Sequence, residues 1–205
     1  MKILLSLLLA TSVAHADTEL SLGSTDRALH SSSANALTDS SLIGGQATVA
    51  HLLLPNVWVT GSASIGGTSG TMLQMTTSVV QEAFQAGVRG RYPIAGPLSA
   101  IARADAGVSN TDLTLDNASY QTLTDHGWAP LASGALGFEL AGRLNPGIEM
   151  GFRFELGYVA CAPVELSAKT HPADDGTIRL PMSQASLGSL DLSGKYAAAS
   201  WLVRF

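Results

Sequence analysis

The chain has 205 residues, 46% of them apolar and only 13% charged, with 11 Lys+Arg against 16 Asp+Glu for a net charge of −5. The apolar share excludes a disordered chain, and the acidic balance leaves no basic face for nucleic acid. One cysteine excludes an internal disulfide framework or a cysteine-built zinc cluster, and the length is that of a single domain.

Residues 1–16 read as a secretory signal peptide: Lys2, then Ile3 to Leu9 apolar except for Ser6, then Ala14-His15-Ala16. Cleavage after Ala16 leaves 17–205 as the mature domain, and no cysteine follows to carry a lipid anchor. The apolar run is shorter than the roughly 20 residues of a spanning helix, and no later run is long enough either.

From there the chain alternates with period 2, the signature of strands with two unlike faces. Two weaker segments come first, 18–26 (Leu20, Leu22 against Glu19, Ser21) and 42–53 (Ile43, Ala47, Val49 against Gln46, Thr48). In 57–66, Val57, Val59, Ala63 and Ile65 oppose Trp58, Thr60, Ser62 and Ser64; in 79–91, Val80, Phe84, Ala86 and Val88 oppose Gln81, Gln85, Arg89 and Arg91. In 98–109 an alanine-rich face opposes Ser99, Ile101, Arg103 and Asp105, and in 131–143 Leu136, Phe138 and Leu140 oppose Glu139 and Arg143. The clearest strand, 148–162, sets Met150, Phe152, Phe154, Leu156 and Tyr158 against Glu149, Arg153 and Glu155. In the last, Ala197, Ala199, Trp201, Val203 and Phe205 oppose Tyr196, Ser200 and Arg204. Short Pro/Asn/Gly connectors at 54–56, 93–97 and 144–147 suit tight turns. They alternate with long polar connectors at 28–40, 67–77, 110–128 and 163–184, which read as loops.

Two all-β architectures fit eight such strands. A soluble barrel or sandwich turns the apolar faces inward; a membrane barrel turns them to lipid. The polar faces are rich in Gly, Ser and Ala and carry sparse charges of both signs, unlike a water-facing surface. The charges can pair inside a narrow lumen, where the planar fork of Arg satisfies several acceptors. The expected fold is therefore an all-β, eight-stranded antiparallel up-and-down transmembrane barrel. Its expected lumen network is Glu19, Arg89, Arg103, Asp105, Glu139, Arg143, Glu149, Arg153 and Glu155, with Arg91 and Arg204 as further partners. Side chains just fill an interior of this size, so a plugged lumen is expected over an open channel.

The segment from Gly188 to Phe205, ending Trp201-Leu-Val-Arg-Phe205, resembles the last strand of a Gram-negative outer-membrane barrel. The whole pattern resembles the small OmpA/OmpX/OmpW-like barrels. The resemblance implies an outer-membrane location and assembly by the barrel assembly machinery and periplasmic chaperones. Its signal would be carried by Tyr196, Trp201, Val203 and Phe205. Outer-membrane lipid is the implied surrounding, the chain is expected to be monomeric, and no nucleic acid, cofactor or metal is expected.

Catalytic groups are sparse. His30 with Ser32 faintly resembles the His-x-Ser of outer-membrane lipid A deacylases, but lacks the flanking aromatic and the following Asn. His126 beside Trp128, and His51 at a strand end, read as interfacial. His171 with Asp174-Asp175 is too small a set to specify a cation, and Cys161 reads as a buried, inert thiol. A non-enzymatic barrel with a structural or surface-contact role through long extracellular loops is expected. A narrow solute channel and a lipid-modifying enzyme are the alternatives.

Overall fold

A computed structural model describes residues 18–72, 75–117, 121–170 and 185–205. The expected signal peptide, and His171 with Asp174-Asp175, lie outside these residues. Eight strands close into a ring: β1 (Thr18–Leu29), β2 (Ser41–Leu54), β3 (Val57–Met72), β4 (Met75–Ala95), β5 (Leu98–Asn117), β6 (Gln121–Asn145), β7 (Ile148–Cys161) and β10 (Gly194–Arg204). Every ring pairing is antiparallel. β1 and β10 close it, in register from Glu19↔Arg204 to Leu29↔Gly194. Beyond the last strand residue, Thr18 and Phe205 exchange backbone hydrogen bonds of 3.0 and 2.9 Å. A closed ring has no unpaired edge, the condition for backbone in hydrocarbon.

The three short turns lie at one end with Thr18 and Phe205. Each carries a residue with positive φ: Asn56 (66°), Gly96 (52°) and Gly147 (91°). These residue types enter that region at least cost, so they set the hairpins. Short turns face the periplasm in barrels of this kind. The opposite end bears a six-residue helix, α1 (Ser32–Leu37), and a hairpin of β8 (Val164–Thr170) and β9 (Ala185–Leu190). The hairpin is joined to β6 through Leu123↔Thr170 and Thr124↔Lys169.

All eight expected strands are present with the expected faces. All four expected loops hold regular structure: α1 lies within 28–40 and β8 within 163–184, and ring strands take up much of the other two. β3 and β4 run into 67–77, pairing as far as Met72↔Met75, and β5 and β6 run into 110–128, pairing as far as Asn117↔Gln121. β6 thus reaches 25 residues, far beyond the 9–11 or so that a membrane requires. The reason is physical. Alternation continues through these segments, but its polarity reverses. In the ring proper, Leu22, Phe84, Leu136, Phe138, Phe154 and Leu156 stand outward and exposed. Above it, Leu113 and Leu115 turn inward and are buried, while Asp112 and Asp116 turn outward. The lower wall has its apolar side chains outside and the upper wall has water outside, on the same unbroken strands. Trp128 and Tyr158 mark the outer face near this change. Trp201, edge-on to Phe152 at a ring separation of 5.1 Å, stands nearer the turn end, as aromatic girdles do.

Candidate functional site

The lumen is built in three layers. The lowest centres on Glu19 and Glu139, both fully buried. Glu19 accepts two parallel bonds from Arg89 (2.8 Å each), one from Arg153 (2.6 Å) and one from Arg204 (2.6 Å). Glu139 accepts from Arg153 (2.7 Å) and Arg204 (2.9 Å), and Arg91 lies 3.1 Å from it. Glu149 on the rim takes a further bond from Arg204 at 2.7 Å. The Trp58 ring packs under the guanidinium carbons of Arg204 and Arg89, at 4.8 and 5.5 Å. Its electron-rich face supplies what carboxylates leave uncovered. Interior charges survive only when so paired.

The middle layer is one cation and two acids. Arg103 pairs with Asp105 at 2.6 Å and lies 3.6 Å from Glu155. Asp105 also accepts from Thr60 at 2.9 Å, and Arg103 donates to Ser62 at 3.0 Å. With its amide oxygen turned toward Arg103, Gln46 accepts from both terminal nitrogens, at 2.9 and 3.2 Å. Beside this layer is a cavity of about 10 Å³, bordered by Ser21, Thr48, Arg153 and Glu155, room for about one water.

The upper layer is neutral apart from Arg27, which donates to Gln81 (2.7 Å) and to the Leu192 carbonyl (3.3 Å). Cys161 is buried here, 4.0 Å from Arg27 and 3.9 Å from Gln81. Over it sits an apolar cap in which Leu29, Leu42, Val79, Leu113, Leu190 and Leu192 pack together. Residues 191–193 fold in to complete it. Asp191 accepts from the Ser193 amide (2.8 Å), and Ser193 Oγ accepts from the Cys161 amide (2.9 Å). Ion pairs at one end and hydrocarbon at the other close the lumen among the described residues.

Eight of the nine expected lumen residues fall into these layers: Glu19, Arg89, Glu139, Glu149 and Arg153 in the lowest, Arg103, Asp105 and Glu155 in the middle. Arg143 does not join them. It keeps its inward parity, opposite Glu149 in register, but is exposed at the turn end and lines the mouth. Among the four C-terminal residues, Trp201 is exposed outward, Val203 and Phe205 share its face, and Tyr196 points inward against Val159 and Cys161. The histidines are apart. His30 is exposed at the cap end, His126 stands outward with its amide bonded to Asp125 (2.9 Å), and His51 pairs with Thr18 (3.3 Å) at the turn end. Sequence reasoning gave no part to Trp58, Arg27 or Gln81. Parity put Trp58 and Gln81 on inner faces and Arg27 fell just beyond the first expected strand, but the partners of all three lie on strands distant in sequence.

A closed ring of eight antiparallel strands, apolar outside and ion-paired within, is the fold of the small outer-membrane β-barrels. Among solved structures the chain is similar to Neisserial surface protein A, with a TM-score of 0.54 and 9% identity over 94% of this chain and 98% of that one. It is similar also to Ail, the attachment invasion locus protein of Yersinia pestis, solved with the heparin analogue sucrose octasulfate, with a TM-score of 0.51 and 11% identity over 92% of this chain and 96% of that one. At such identities the likeness is one of fold. No protein-family model matches the chain, and no curated protein matches it in sequence.

Proposed function

We propose that the chain is an outer-membrane barrel whose working part is its extracellular end, a non-catalytic contact surface on a rigid, closed support. One observation carries this reading: four strands continue past the apolar belt and rebuild a water-facing wall around an apolar core. Strand there costs ordering entropy that a loop does not, and a scaffold serving only to fill lipid has no use for it. The membrane part is committed already, its outer face to lipid and its inner face to ion pairs.

The chemistry of that end argues against carrying over a ligand from the fold likeness. Sucrose octasulfate is a polyanion. Among residues whose side chains are described, Asp26, Glu82, Asp112 and Asp116 stand on the outer wall, with Asp39 and Glu165 also exposed at this end, against an outward Lys195 and an inward Arg27. Such a surface suits a cationic or neutral partner.

The test is location and access. In a Gram-negative host the protein should fractionate with the outer membrane. Asp116→Cys should react on intact cells with a thiol reagent that cannot cross the membrane, while Glu149→Cys should not. Recovery in the soluble periplasm, or reaction at position 149 alone, would overturn the reading.

A further inference from the structure

The turn end of the lumen opens into a vestibule of about 550 Å³, lined by Trp58, Arg91, Arg143, Glu149, Arg204 and the turn residue Asn56, among others. Its charge is not balanced. Around the lowest layer five arginines (Arg89, Arg91, Arg143, Arg153, Arg204) meet three glutamates (Glu19, Glu139, Glu149), an excess of two positive charges. The excess falls at the mouth. Arg89, Arg153 and Arg204 spend their terminal nitrogens on Glu19, Glu139 and Glu149. Arg91 is engaged only through Nε, with Ser99 and Glu139 both at 3.1 Å, and is 24% exposed. Arg143 makes no hydrogen bond or ion pair within the described residues, although it sits on the same inner face.

We propose that this vestibule is an anion site, taking a phosphate or carboxylate group between Arg91 and Arg143. The two free guanidinium ends offer planar pairs of donors, the geometry that oxyanions accept in bidentate fashion. They stand in a concave mouth walled by protein, where a cation attracts an anion more strongly than on an open surface. Glu19 and Glu139 are each already shared by three arginines, and Glu149 is engaged by Arg204. The vestibule is independent of the extracellular reading: it uses other residues at the opposite end.

The test uses the full barrel in a non-ionic, phosphate-free detergent, with the arginine side chains labelled with nitrogen-15 and observed by NMR. Sodium phosphate is titrated against sodium chloride at matched ionic strength, with acetate as the carboxylate arm. Saturable shifts of Arg91 and Arg143 are expected, half-complete at about millimolar phosphate or below, with Arg153 unmoved. Arg143→Gln should weaken binding about tenfold, whereas Lys195→Gln on the outer wall should leave it unchanged. Should Arg143→Gln fail to assemble, Arg143→Lys keeps the charge without the fork and should weaken binding less. The same titration in phosphatidylglycerol discs separates a free anion from a lipid headgroup. If Arg143 shifts on transfer to the discs and added phosphate then changes nothing, the arginine serves lipid and the site is overturned. Shifts that track ionic strength alone, with chloride as effective as phosphate, overturn it too.

Discussion

Removing the carboxylate of Glu19 tests the account of the lumen most directly. Glu19 accepts four charge-assisted bonds from three arginines, but the cost of Glu19→Gln is not four bonds. Arg153 keeps Glu139, and Arg204 keeps Glu139 and Glu149. Arg89 bonds no other acid among the described residues and is left with the Trp58 ring at 5.5 Å and the more distant Glu139. One buried cation is orphaned, which costs about 3–5 kcal/mol. Glu149 is 32% exposed and holds one bond to Arg204, so Glu149→Gln should cost about 1 kcal/mol or less. Removing the orphan as well, in Glu19→Gln/Arg89→Met, should restore part of the loss, with a coupling of about 0.5–3 kcal/mol. The assay is urea unfolding of the barrel in lipid vesicles, read by tryptophan emission and by the heat-dependent gel shift, with the slope in urea unchanged between variants. The reasoning is refuted if Glu19→Gln costs no more than Glu149→Gln, or if the double variant loses the sum of its parts.

The outer face is tested by quenching. A fluorophore on cysteine at position 138 or 154 should be quenched by brominated acyl chains, and one at 103 should not; the reverse would mean an inside-out, soluble barrel. Leu113 is 2% exposed within the cap. Leu113→Ala should therefore cost about 2–5 kcal/mol of cap stability, read as faster proteolysis of the extracellular end while the barrel stays intact. Unchanged proteolysis would show that the cap does not depend on its core. Deleting Phe205 should impair insertion in cells far more than it lowers the urea midpoint of barrels refolded in detergent, since burying one Phe contributes only about 1.5–3 kcal/mol. Normal insertion would refute its role as an assembly signal. In planar bilayers the purified protein should not conduct through the Glu19 layer, and steady single-channel steps would contradict a closed lumen.

How far the sequence could be read depended on the kind of interaction. Parity is local, so Phe152, Phe154 and Leu156 against Arg153 and Glu155 sufficed to orient β7. The turns were legible for the same reason, because Asn56, Gly96 and Gly147 answer a local demand for positive φ. Partner choice is not local. Glu19 lies in one of the two least patterned strands, yet it binds arginines 70, 134 and 185 residues away. Which inner residues share a level is set by the stagger between strands, and that is written in no single segment. Arg143 shows the same limit. Its parity equals that of Glu139 and it faces Glu149 in register, but its side chain is exposed at the mouth and makes no ion pair among the described residues. The upper walls were misread for another reason. Ser, Thr, Asp and Asn in 110–117 suggested a loop, yet Thr111, Leu113 and Leu115 alternate with Asp112, Thr114 and Asp116 throughout. The period was intact; only the solvent outside had changed.

That reversal bears on where function can lie. A residue can recognise something only if its chemistry is not already satisfied by the fold. In the membrane portion the outward side chains are apolar and matched to lipid, and the inward charges bind one another. Seven arginines (Arg27, Arg89, Arg91, Arg103, Arg143, Arg153, Arg204) and five acids (Glu19, Asp105, Glu139, Glu149, Glu155) face the lumen and its mouth, so the lumen's own excess is positive while the chain as a whole carries −5. The negative charge must therefore reside elsewhere, and Asp26, Glu82, Asp112 and Asp116 place much of it on the outer wall above the apolar belt. Two groups of accessible charges of opposite sign thus stand at opposite ends: acids on the extracellular wall, Arg91 and Arg143 at the periplasmic mouth. A closed lumen keeps these ends chemically separate. On the function proposed above, the barrel serves not as a conduit but as a rigid mount, with an acidic surface at its extracellular end and a basic one at its turn end.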